Sequence, residues 1–355
     1  MQLDLSVPKK NAVSVADGED GLLLCSVREG MERALSAAAG RALVLADGSS
    51  FSSFIPASRA ANTVCMLWDG DALGLFALPE VRSVLVSGGR DAVEGARFFA
   101  AVRRIPCTVF AKDAAMDGIF SPRARVKVNG CCPDVPLAPA VAVADLSLAE
   151  GTYADAYARL LLSRLALFEA RALGRICRRE TGGAAWEEAF CLTDAIGTLS
   201  REQVVRRNAR LRQLEAQGVP SGEGASLLAR LGEKRYPAAT AYLTLLALYT
   251  AFFRRGVPRR YAVPAYRRSG AYAALPLPTA GEYASRALRL ERARGELCAE
   301  ALHLRAGKEA QLAAMRALDA HFDAAPALEK LNFVPECAPD GLCAVMRDFG
   351  LLEGS

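Results

Sequence analysis

Short apolar runs alternate with helix-like stretches over the first 146 residues of the chain. One helical stretch, Asp91–Arg104, lies between two of the later runs. Strands that alternate with helices predict a mainly parallel sheet with helices packed against it. The predicted strands are Arg41–Ala46, Thr63–Trp68, Arg82–Ser87, Pro106–Phe110, Arg123–Val128 and Ala140–Ala144. In the fifth of them, charged and small residues alternate, as in a half-exposed or edge strand.

After Asp145 the pattern changes to helical periodicity, with glycine and proline between the periodic stretches. The sequence therefore predicts an N-terminal α/β domain, residues 1–146, followed by an all-helical domain, residues 147–355. The predicted helices are Tyr153–Arg179, Arg201–Gln217, Tyr236–Arg255 and Tyr283–Phe322. The stretch Phe252–Gly270, with its three Arg-Arg pairs, is predicted to be a basic connecting loop.

Composition narrows the classes of function. Tyr236–Phe253 carries no charge, but its proline, threonines and tyrosines favour a buried helix over a membrane span. The net charge of +5 comes without a recognised nucleic-acid-binding motif, so no nucleic-acid partner is predicted. The N-terminus has no apolar core of a secretory signal, and the ten cysteines include no Cys-x-x-Cys pair. We therefore expect a cytoplasmic protein with reduced thiols.

A turn that suits a phosphate follows the third predicted strand. Gly88 and Gly89 precede a helix that begins near Asp91, so backbone N–H groups and the positive helix end could approach a pyrophosphate. Asp91 has an alternative role as a cap of this helix without any ligand. Its carboxylate would also repel a phosphate.

A further segment, Ala111–Pro122, follows the next strand end and contains Met116-Asp117-Gly118. It resembles the "TAASMDG…SP" segment of sn-glycerol-1-phosphate dehydrogenases, relatives of glycerol dehydrogenase and dehydroquinate synthase in the iron-containing alcohol dehydrogenase superfamily. Asp47, after the first strand, is similar to the family's nucleotide-contacting aspartate. Leu231–Lys234 with Ala239–Tyr249 resembles a family helix that reads "HGEKVGVATLLTLALY". Similarity extends to the C-terminal Val345–Leu352 and so spans nearly the whole chain.

The resemblance implies a dehydroquinate synthase-like fold, with a Rossmann-like nucleotide-binding domain and a helical metal domain. In active relatives a divalent metal, usually zinc, polarises the substrate hydroxyl while NAD(P) accepts hydride. The resemblance thus leaves NAD or NADP as candidate cofactors. A dinucleotide or a small phosphorylated molecule is the expected ligand.

The metal ligands of the family, two histidines and an aspartate, are not preserved. The second histidine falls on Leu231 and the first near Gly224. The aspartate falls on Asp155 in one register and on Arg159 in another, one helical turn away, so both are expected to share a face. The chain's two histidines, His303 and His321, lie far downstream and are interpreted as exposed or half-buried helix residues. Zinc or another divalent metal is therefore not expected, and no metal ligand is assigned.

The nucleotide turn is altered as well. Arg90 replaces the family's third glycine and Asp91 the following serine or threonine, while Lys112 replaces a threonine in the next loop. Lys112 is a candidate to offset Asp91 or to bind a phosphate. Asp117 matches a substrate-side aspartate, with an Asp-Gly turn as its alternative.

Three hypotheses remain open from the sequence. The first is a diverged protein without metal-dependent dehydrogenase activity that keeps a ligand-binding or regulatory role. The second is a working NAD(P) oxidoreductase on glycerol phosphate or a related polyol or sugar phosphate. The third is a structural or interaction subunit that uses the fold for protein contacts and forms a stable homo- or hetero-oligomer. The candidate catalytic residues are Asp117, Asp155, Arg159 and Lys234. The candidate cofactor-binding residues are Asp47, Gly88, Gly89, Asp91 and Lys112.

Overall fold

The computed structural model describes residues 21–38, 40–51, 54, 62–147, 152–178, 181–194, 197–232, 234–255, 279–328 and 341–349. These residues form two compact units. The first contains the described residues up to Thr152 together with Ser200–Ala216, and the second contains those of Tyr153–Leu199 and those from Gln217 onward. The predicted domain boundary after residue 146 stays a prediction. The predicted basic loop lies outside the described residues except for its first four.

Within the described part of the first unit, six parallel strands form the main sheet. Every residue of the second and fifth strands is buried, as expected for strands covered on both faces. The predicted parallel α/β sheet is confirmed, and the first strand is an addition that the apolar pattern did not predict. The strands are β1 (Leu22–Leu24), β2 (Ala42–Ala46), β3 (Thr63–Leu67), β4 (Ser83–Ser87), β5 (Cys107–Phe110) and β8 (Ala140–Ala144), in the spatial order β1-β8-β5-β4-β2-β3.

A second, smaller sheet contains the strand with alternating charge. β6 (Arg123–Arg125) pairs antiparallel with β7 (Asp134–Pro136), and Arg123 Nε donates to Asp134 Oδ2 at 3.0 Å across the pair. Only the middle residue of β6, Ala124, is buried. The half-exposed strand is thus confirmed, but it pairs within its own sheet and does not extend the parallel one.

The predicted helical character after Asp145 is also confirmed. Most of the buried apolar side chains of the second unit belong to these helices. Short helices at Ala184–Thr193 and Gly222–Leu231 were not predicted. The described residues contain the helices α1 (Val27–Ala37), α2 (Arg90–Arg103), α3 (Thr152–Cys177), α4 (Ala184–Thr193), α5 (Arg201–Ala216), α6 (Gly222–Leu231), α7 (Pro237–Arg254), α8 (Ala280–Ala306), α9 (Lys308–Leu318) and α10 (Leu342–Asp348).

One long predicted helix is two helices. The periodic stretch Tyr283–Phe322 is broken at Gly307, where α8 ends and α9 begins. The N–H of Gly307 bonds to the Arg305 carbonyl and so leaves the usual helical pattern. Glycine destabilises a helix interior by about 1 kcal/mol relative to alanine, which makes it the weakest point of this stretch.

The uncharged stretch Tyr236–Phe253 forms α7, which begins at Pro237 as a proline at the first helical position allows. Most of its side chains are buried, as predicted. None of the helices that the structure describes is long and apolar enough to cross a membrane.

Candidate functional site

The carboxyl ends of β2 and β4 meet where the strand order of the main sheet reverses. From β2 the chain passes to β3 on one side, and from β4 it passes to β5 and later β8 on the other. Open α/β sheets bind ligands in the crevice beyond such a reversal. Asp47 follows β2 and Gly88 follows β4, so two predicted cofactor-binding residues lie at this edge.

Asp47 links these two strand ends through its carboxylate. Oδ2 accepts the Gly89 backbone N–H at 2.7 Å. Oδ1 accepts the N–H groups of Ser49 and Ser50 at 3.1 and 2.9 Å and the Ser49 hydroxyl at 2.7 Å. Partial burial would raise the pKa of Asp47, but the hydrogen bonds from Ser49, Gly89 and Ser50 outweigh it and hold this pKa well below its usual range. Asp47 is therefore ionised at neutral pH.

Lys112 approaches the same carboxylate from the end of β5. Its Nζ lies 3.6 Å from Asp47 Oδ2 and donates to the Ser49 hydroxyl. Its ion-pair partner is thus Asp47, whereas the sequence suggested Asp91. The ammonium group balances the carboxylate, and a phosphate here would have to compete with Asp47 for it.

The turn at Gly88 and Gly89 is shaped around Asp47. A Cβ on Gly88 would lie 3.1 Å from the Asp47 carboxyl carbon, so a larger residue there would force the Asp47 carboxyl group to shift. Gly89 is the N-cap of α2 and supplies no side-chain cap. Asp91 lies inside the first turn and is not the cap that the sequence suggested. Turns of this kind offer their N–H groups to phosphates, but the Gly89 N–H is already bonded to a carboxylate.

Asp117 lies half-buried on the loop that follows β5, beside Arg90. The Nε of Arg90 donates to Glu94 Oε1 at 2.7 Å. Burial lowers the pKa of Arg90, but the bond to Glu94 and the charges of Glu94, Asp117 and Asp91 outweigh it and raise the pKa. Arg90 is therefore held among acidic side chains.

Arg97 is a residue of this region that the sequence reasoning missed. Its side chain is buried on α2 and donates to three backbone carbonyls, those of Ala138 at 2.9 Å, Gly118 at 2.6 Å and Ser121 at 2.7 Å. Burial lowers the pKa of Arg97 to about 10. Because two of its acceptors, Gly118 and Ser121, lie one and four positions after Asp117, Arg97 positions the Asp117 loop. The position of this arginine among small and apolar residues of a predicted helix could have indicated that its side chain is buried.

In the second unit, Asp155 and Arg159 lie one turn apart on α3, with Arg159 Nε 4.0 Å from Asp155 Oδ2. Asp155 Oδ1 accepts the backbone N–H groups of Ala238 and Ala239 at 2.7 and 3.2 Å. These are the first free N–H groups of α7, since Pro237 has none and Tyr236 gives no side-chain cap. Asp155 therefore supplies the capping acceptor that the N-cap residue lacks, for a helix that begins 82 positions after it in the chain. The two residues share a face, as predicted.

Replacing this cap gives a direct prediction. We expect Asp155→Ala to lower the free energy of unfolding by about 1–2 kcal/mol, the usual cost of losing an N-cap. Asp155→Asn keeps an acceptor oxygen and should lose less. Urea denaturation of both variants measures the difference. If Asp155→Ala is as stable as the unchanged protein, the capping role is wrong.

A buried acidic cluster occupies the same unit and was not predicted. Glu169 of α3 accepts the Glu223 backbone N–H on Oε2 at 2.7 Å and the Tyr249 hydroxyl on Oε1 at 2.6 Å. Glu169 and Glu223 are 3% and 2% exposed. Burial raises the pKa of Glu169 to about 7. Burial and the neighbouring Glu169 raise that of Glu223 to about 8, against a smaller opposite effect of the Cys343 backbone.

Gly222 makes this arrangement possible. Its φ of +63° lies in the left-handed region, and a Cβ there would fall 2.3 Å from Glu169 Oε2. The chain can therefore turn into α6 directly over the carboxyl group.

Lys234 lies just beyond α6 with an exposed side chain. The structure thus brings together Asp47, Gly88, Gly89 and Lys112 in the first unit, with Asp91 and Asp117 on adjoining segments. In the second it brings together Asp155 and Arg159. The catalytic roles of Asp117, Asp155, Arg159 and Lys234 stay predictions.

The chain matches no protein-family model, and its sequence matches no curated protein. Among solved structures it is similar to a probable glycerol dehydrogenase from Sinorhizobium meliloti 1021, at 15% identity over 78% of this chain and 97% of that one, with a TM-score of 0.51. The chain has the glycerol dehydrogenase fold. This confirms the predicted fold class, and the narrower resemblance to sn-glycerol-1-phosphate dehydrogenases stays a prediction.

Two further structures are similar at lower scores. Glycerol dehydrogenase from Schizosaccharomyces pombe is 12% identical, over 86% of this chain and 92% of that one, with a TM-score of 0.45. The 2-epi-5-epi-valiolone synthase from Streptomyces hygroscopicus subsp. jinggangensis 5008, solved with NAD+ and Zn2+ bound, is 13% identical over 85% and 97%, with a TM-score of 0.42.

The side chains at the positions that the sequence resemblance aligns with metal ligands do not fit a metal ion. Leu231 has no donor atom and is 2% exposed. A Cβ on Gly224 would lie 2.9 Å from Leu162 Cδ2, so this position has no room for an imidazole without rearrangement. Asp155 keeps a carboxylate but caps α7 with it. Within the described ranges, no three or more His, Cys, Asp and Glu side chains are grouped to hold a metal.

Proposed function

We propose that this chain is a diverged protein of the glycerol dehydrogenase fold that binds a nucleotide or small phosphorylated ligand and lacks metal-dependent dehydrogenase activity. The observation that carries the proposal is the cap of α7. The one matched metal position that keeps a donor, Asp155, already accepts two backbone N–H groups. Metal binding there would have to compete with the start of a buried helix.

The arrangement of Asp47 and the Gly88-Gly89 turn supports ligand binding more than catalysis. A carboxylate after the second strand of such a sheet typically accepts ribose hydroxyls, and it disfavours the 2′-phosphate of NADP. Asp47 occupies this position, and the hydrogen bonds that it accepts from Ser49 and Ser50 hold its carboxylate in one orientation. Bound NAD would supply a hydride acceptor. Because the Gly89 N–H is engaged, the ribose end fits this site better than the pyrophosphate does.

Calorimetric titration with NAD, NADP and ADP-ribose tests the ligand. We expect NAD and ADP-ribose to bind more tightly than NADP. Asp47→Asn should weaken NAD binding about tenfold, the loss expected for hydrogen bonds to a charged acceptor. Asp71→Asn is the matched control, because Asp71 is another partly exposed carboxylate of this unit that accepts backbone N–H groups. Equal affinity in both variants would remove Asp47 from the site.

Metal analysis of the purified protein, with assays on glycerol 1-phosphate and glycerol, tests the catalytic half. We expect substoichiometric zinc and no turnover with NAD or NADP. Stoichiometric zinc together with turnover would overturn the proposal. Turnover without metal would instead favour an oxidoreductase built on Asp117, Asp155, Arg159 and Lys234.

A further inference from the structure

A cleft of about 410 Å³ lies between α3 and α4, wholly within the second unit. Leu167 and Arg171, one turn apart on α3, line one side of it, and Trp186, Phe190 and Cys191 of α4 line the other. Small-molecule sites in proteins are concave, mostly apolar and typically enclose roughly 300–1,000 Å³. The cleft has this size and this kind of lining, and none of its residues belongs to the candidate nucleotide site.

The turn that joins α3 to α4 leaves the cleft open at one end. Gly182 and Gly183 have φ values of +133° and +121°, which residues with a side chain rarely adopt. Gly182 lines the cleft, and no atom of the described residues lies within 4 Å of where a Cβ on it would be. A small molecule can therefore reach the cleft from solvent at this turn.

The side of the cleft that α4 forms is held in place by two arginines of α3. The guanidinium carbons of Arg164 and Arg171 lie 3.8 and 4.9 Å from the centre of the Phe190 ring, within the range of cation–π attraction. Arg164 also pairs with Asp194, the residue after α4, at 3.1 Å. Arg171 donates to Glu300 of α8. The second half of α4 is therefore fixed on α3 without a ligand, so the cleft is preformed.

Trp186 is the aromatic residue of the cleft that stays available for a ligand. It is partly exposed, and no ring or cation of the described residues stacks on it, whereas the Phe190 ring already meets two guanidinium groups. Of the ten residues of α4, only Ala189 and Thr193 are buried. On the α3 side, Leu167 is 2% exposed and gives the cleft an apolar floor. A planar ring in the cleft would bury apolar surface and stack on the indole, and such aromatic pairs are stabilised beyond the area that they bury.

The charges that line the cleft favour an uncharged ligand. Arg171 is balanced by Glu300, whose carboxylate accepts its hydrogen bond. Glu187 is exposed, so solvent screens its carboxylate. We propose that this cleft binds a small, uncharged, planar aromatic molecule, which stacks on Trp186 between α3 and α4.

Calorimetric titration with indole, indoleacetate and tryptamine tests the ligand class, because the three compounds share one ring system and differ in charge. We expect indole to saturate a single site per chain and to bind more tightly than the anion or the cation. Absence of saturable indole binding would overturn the proposal. Equal or tighter binding of either charged compound would overturn it as well.

Substitutions at the cleft wall locate the binding. Cys191→Trp adds a large side chain at an exposed lining residue and should weaken indole binding at least tenfold, whereas Cys191→Ser keeps the size and should bind as before. Trp186→Leu should weaken binding to a similar extent, and Trp186→Phe, which keeps a ring, should retain most of it. If Cys191→Trp binds indole like the unchanged protein, the molecule does not enter this cleft and the proposal is wrong.

Alkylation of cysteines by iodoacetamide, followed by peptide mass spectrometry, gives an independent footprint. Indole should slow the reaction of Cys191, while Cys131 and Cys132, exposed between β6 and β7 in the first unit, are internal controls that should react as before. Asp47→Asn should leave indole binding unchanged, which separates this cleft from the nucleotide site. If light scattering shows that Cys191→Trp dissociates an oligomer, the cleft is a contact between copies of the chain and the ligand proposal fails.

Discussion

Raising the pH from about 5 to about 9 is expected to lower the free energy of unfolding by several kcal/mol. Glu169 and Glu223 are the cause. Their folded-state pKa values of about 7 and about 8 lie above the ordinary 4.5, so the folded protein holds protons that the unfolded chain has released. Their contribution to the free energy of unfolding is fully present below the ordinary carboxyl pKa of the unfolded chain. It is lost as the pH rises through the folded-state pKa values.

The surroundings of the pair explain the direction. Glu169 on α3 faces the Glu223 backbone of α6, the Tyr249 hydroxyl of α7 and Cys343 of α10. Burial also raises the pKa values of Tyr249 and Cys343, so both stay neutral, and neither a phenol nor a thiol can carry the positive charge that would balance a carboxylate. The two carboxyl groups interact, and they will titrate as a pair with shared apparent pKa values.

Urea denaturation across this pH range measures the effect. Glu223→Gln should flatten the pH dependence by removing one titrating group, at modest cost near pH 5. Glu169→Gln should cost more at every pH, because an amide cannot accept from both the Glu223 N–H and the Tyr249 hydroxyl. Glu202→Gln, at an exposed ion pair, should follow the unchanged protein. A stability that does not fall between about pH 5 and 9 would contradict the raised values.

Arg97→Leu is expected to lower the free energy of unfolding by about 3 kcal/mol or more, because three carbonyls lose their donor. The loss should reach the Asp117 loop first, since Gly118 and Ser121 supply two of the three. In hydrogen-exchange measurements, Arg97→Leu should accelerate exchange relative to the unchanged protein, and the increase should be larger at residues 115–121 than in the main sheet.

Arg103→Leu is the matched control for that variant. Arg103 lies on the same helix, but it is exposed and donates to one carbonyl, that of Phe76, at 3.3 Å. Its loss should cost less than about 1 kcal/mol. If Arg97→Leu costs no more than Arg103→Leu, the three buried bonds do not hold the loop.

Much of the fold could be predicted because local pattern determines it. The apolar runs that became β2, β4 and β5 are long enough, and bounded clearly enough, to indicate buried strands. β1 is three residues long, which is too short for its apolar residues to indicate a strand from the sequence. The break at Gly307 was missed because the apolar periodicity continues on both sides of it.

The site was harder to predict because its key contacts join distant parts of the sequence. Asp155 was singled out for its match to a metal ligand, yet its carboxylate accepts hydrogen bonds from the N–H groups of Ala238 and Ala239. Nothing local to either segment reveals this cap. Glu169 and Glu223 resemble ordinary surface carboxylates in sequence, and only the packing of four helices shows that they are buried.

The position of β1 has a consequence for how the chain is made. Among the described residues of the main sheet, β1 pairs only with β8, and Leu22 lies opposite Ala142. During synthesis on the ribosome, β8 follows β1 by roughly 120 residues, on the order of ten seconds at usual rates of elongation. The apolar segment Leu22–Leu24 therefore lacks its partner strand while most of the sheet is being synthesised. Binding of a trigger-type chaperone to the nascent chain should be most persistent over this interval.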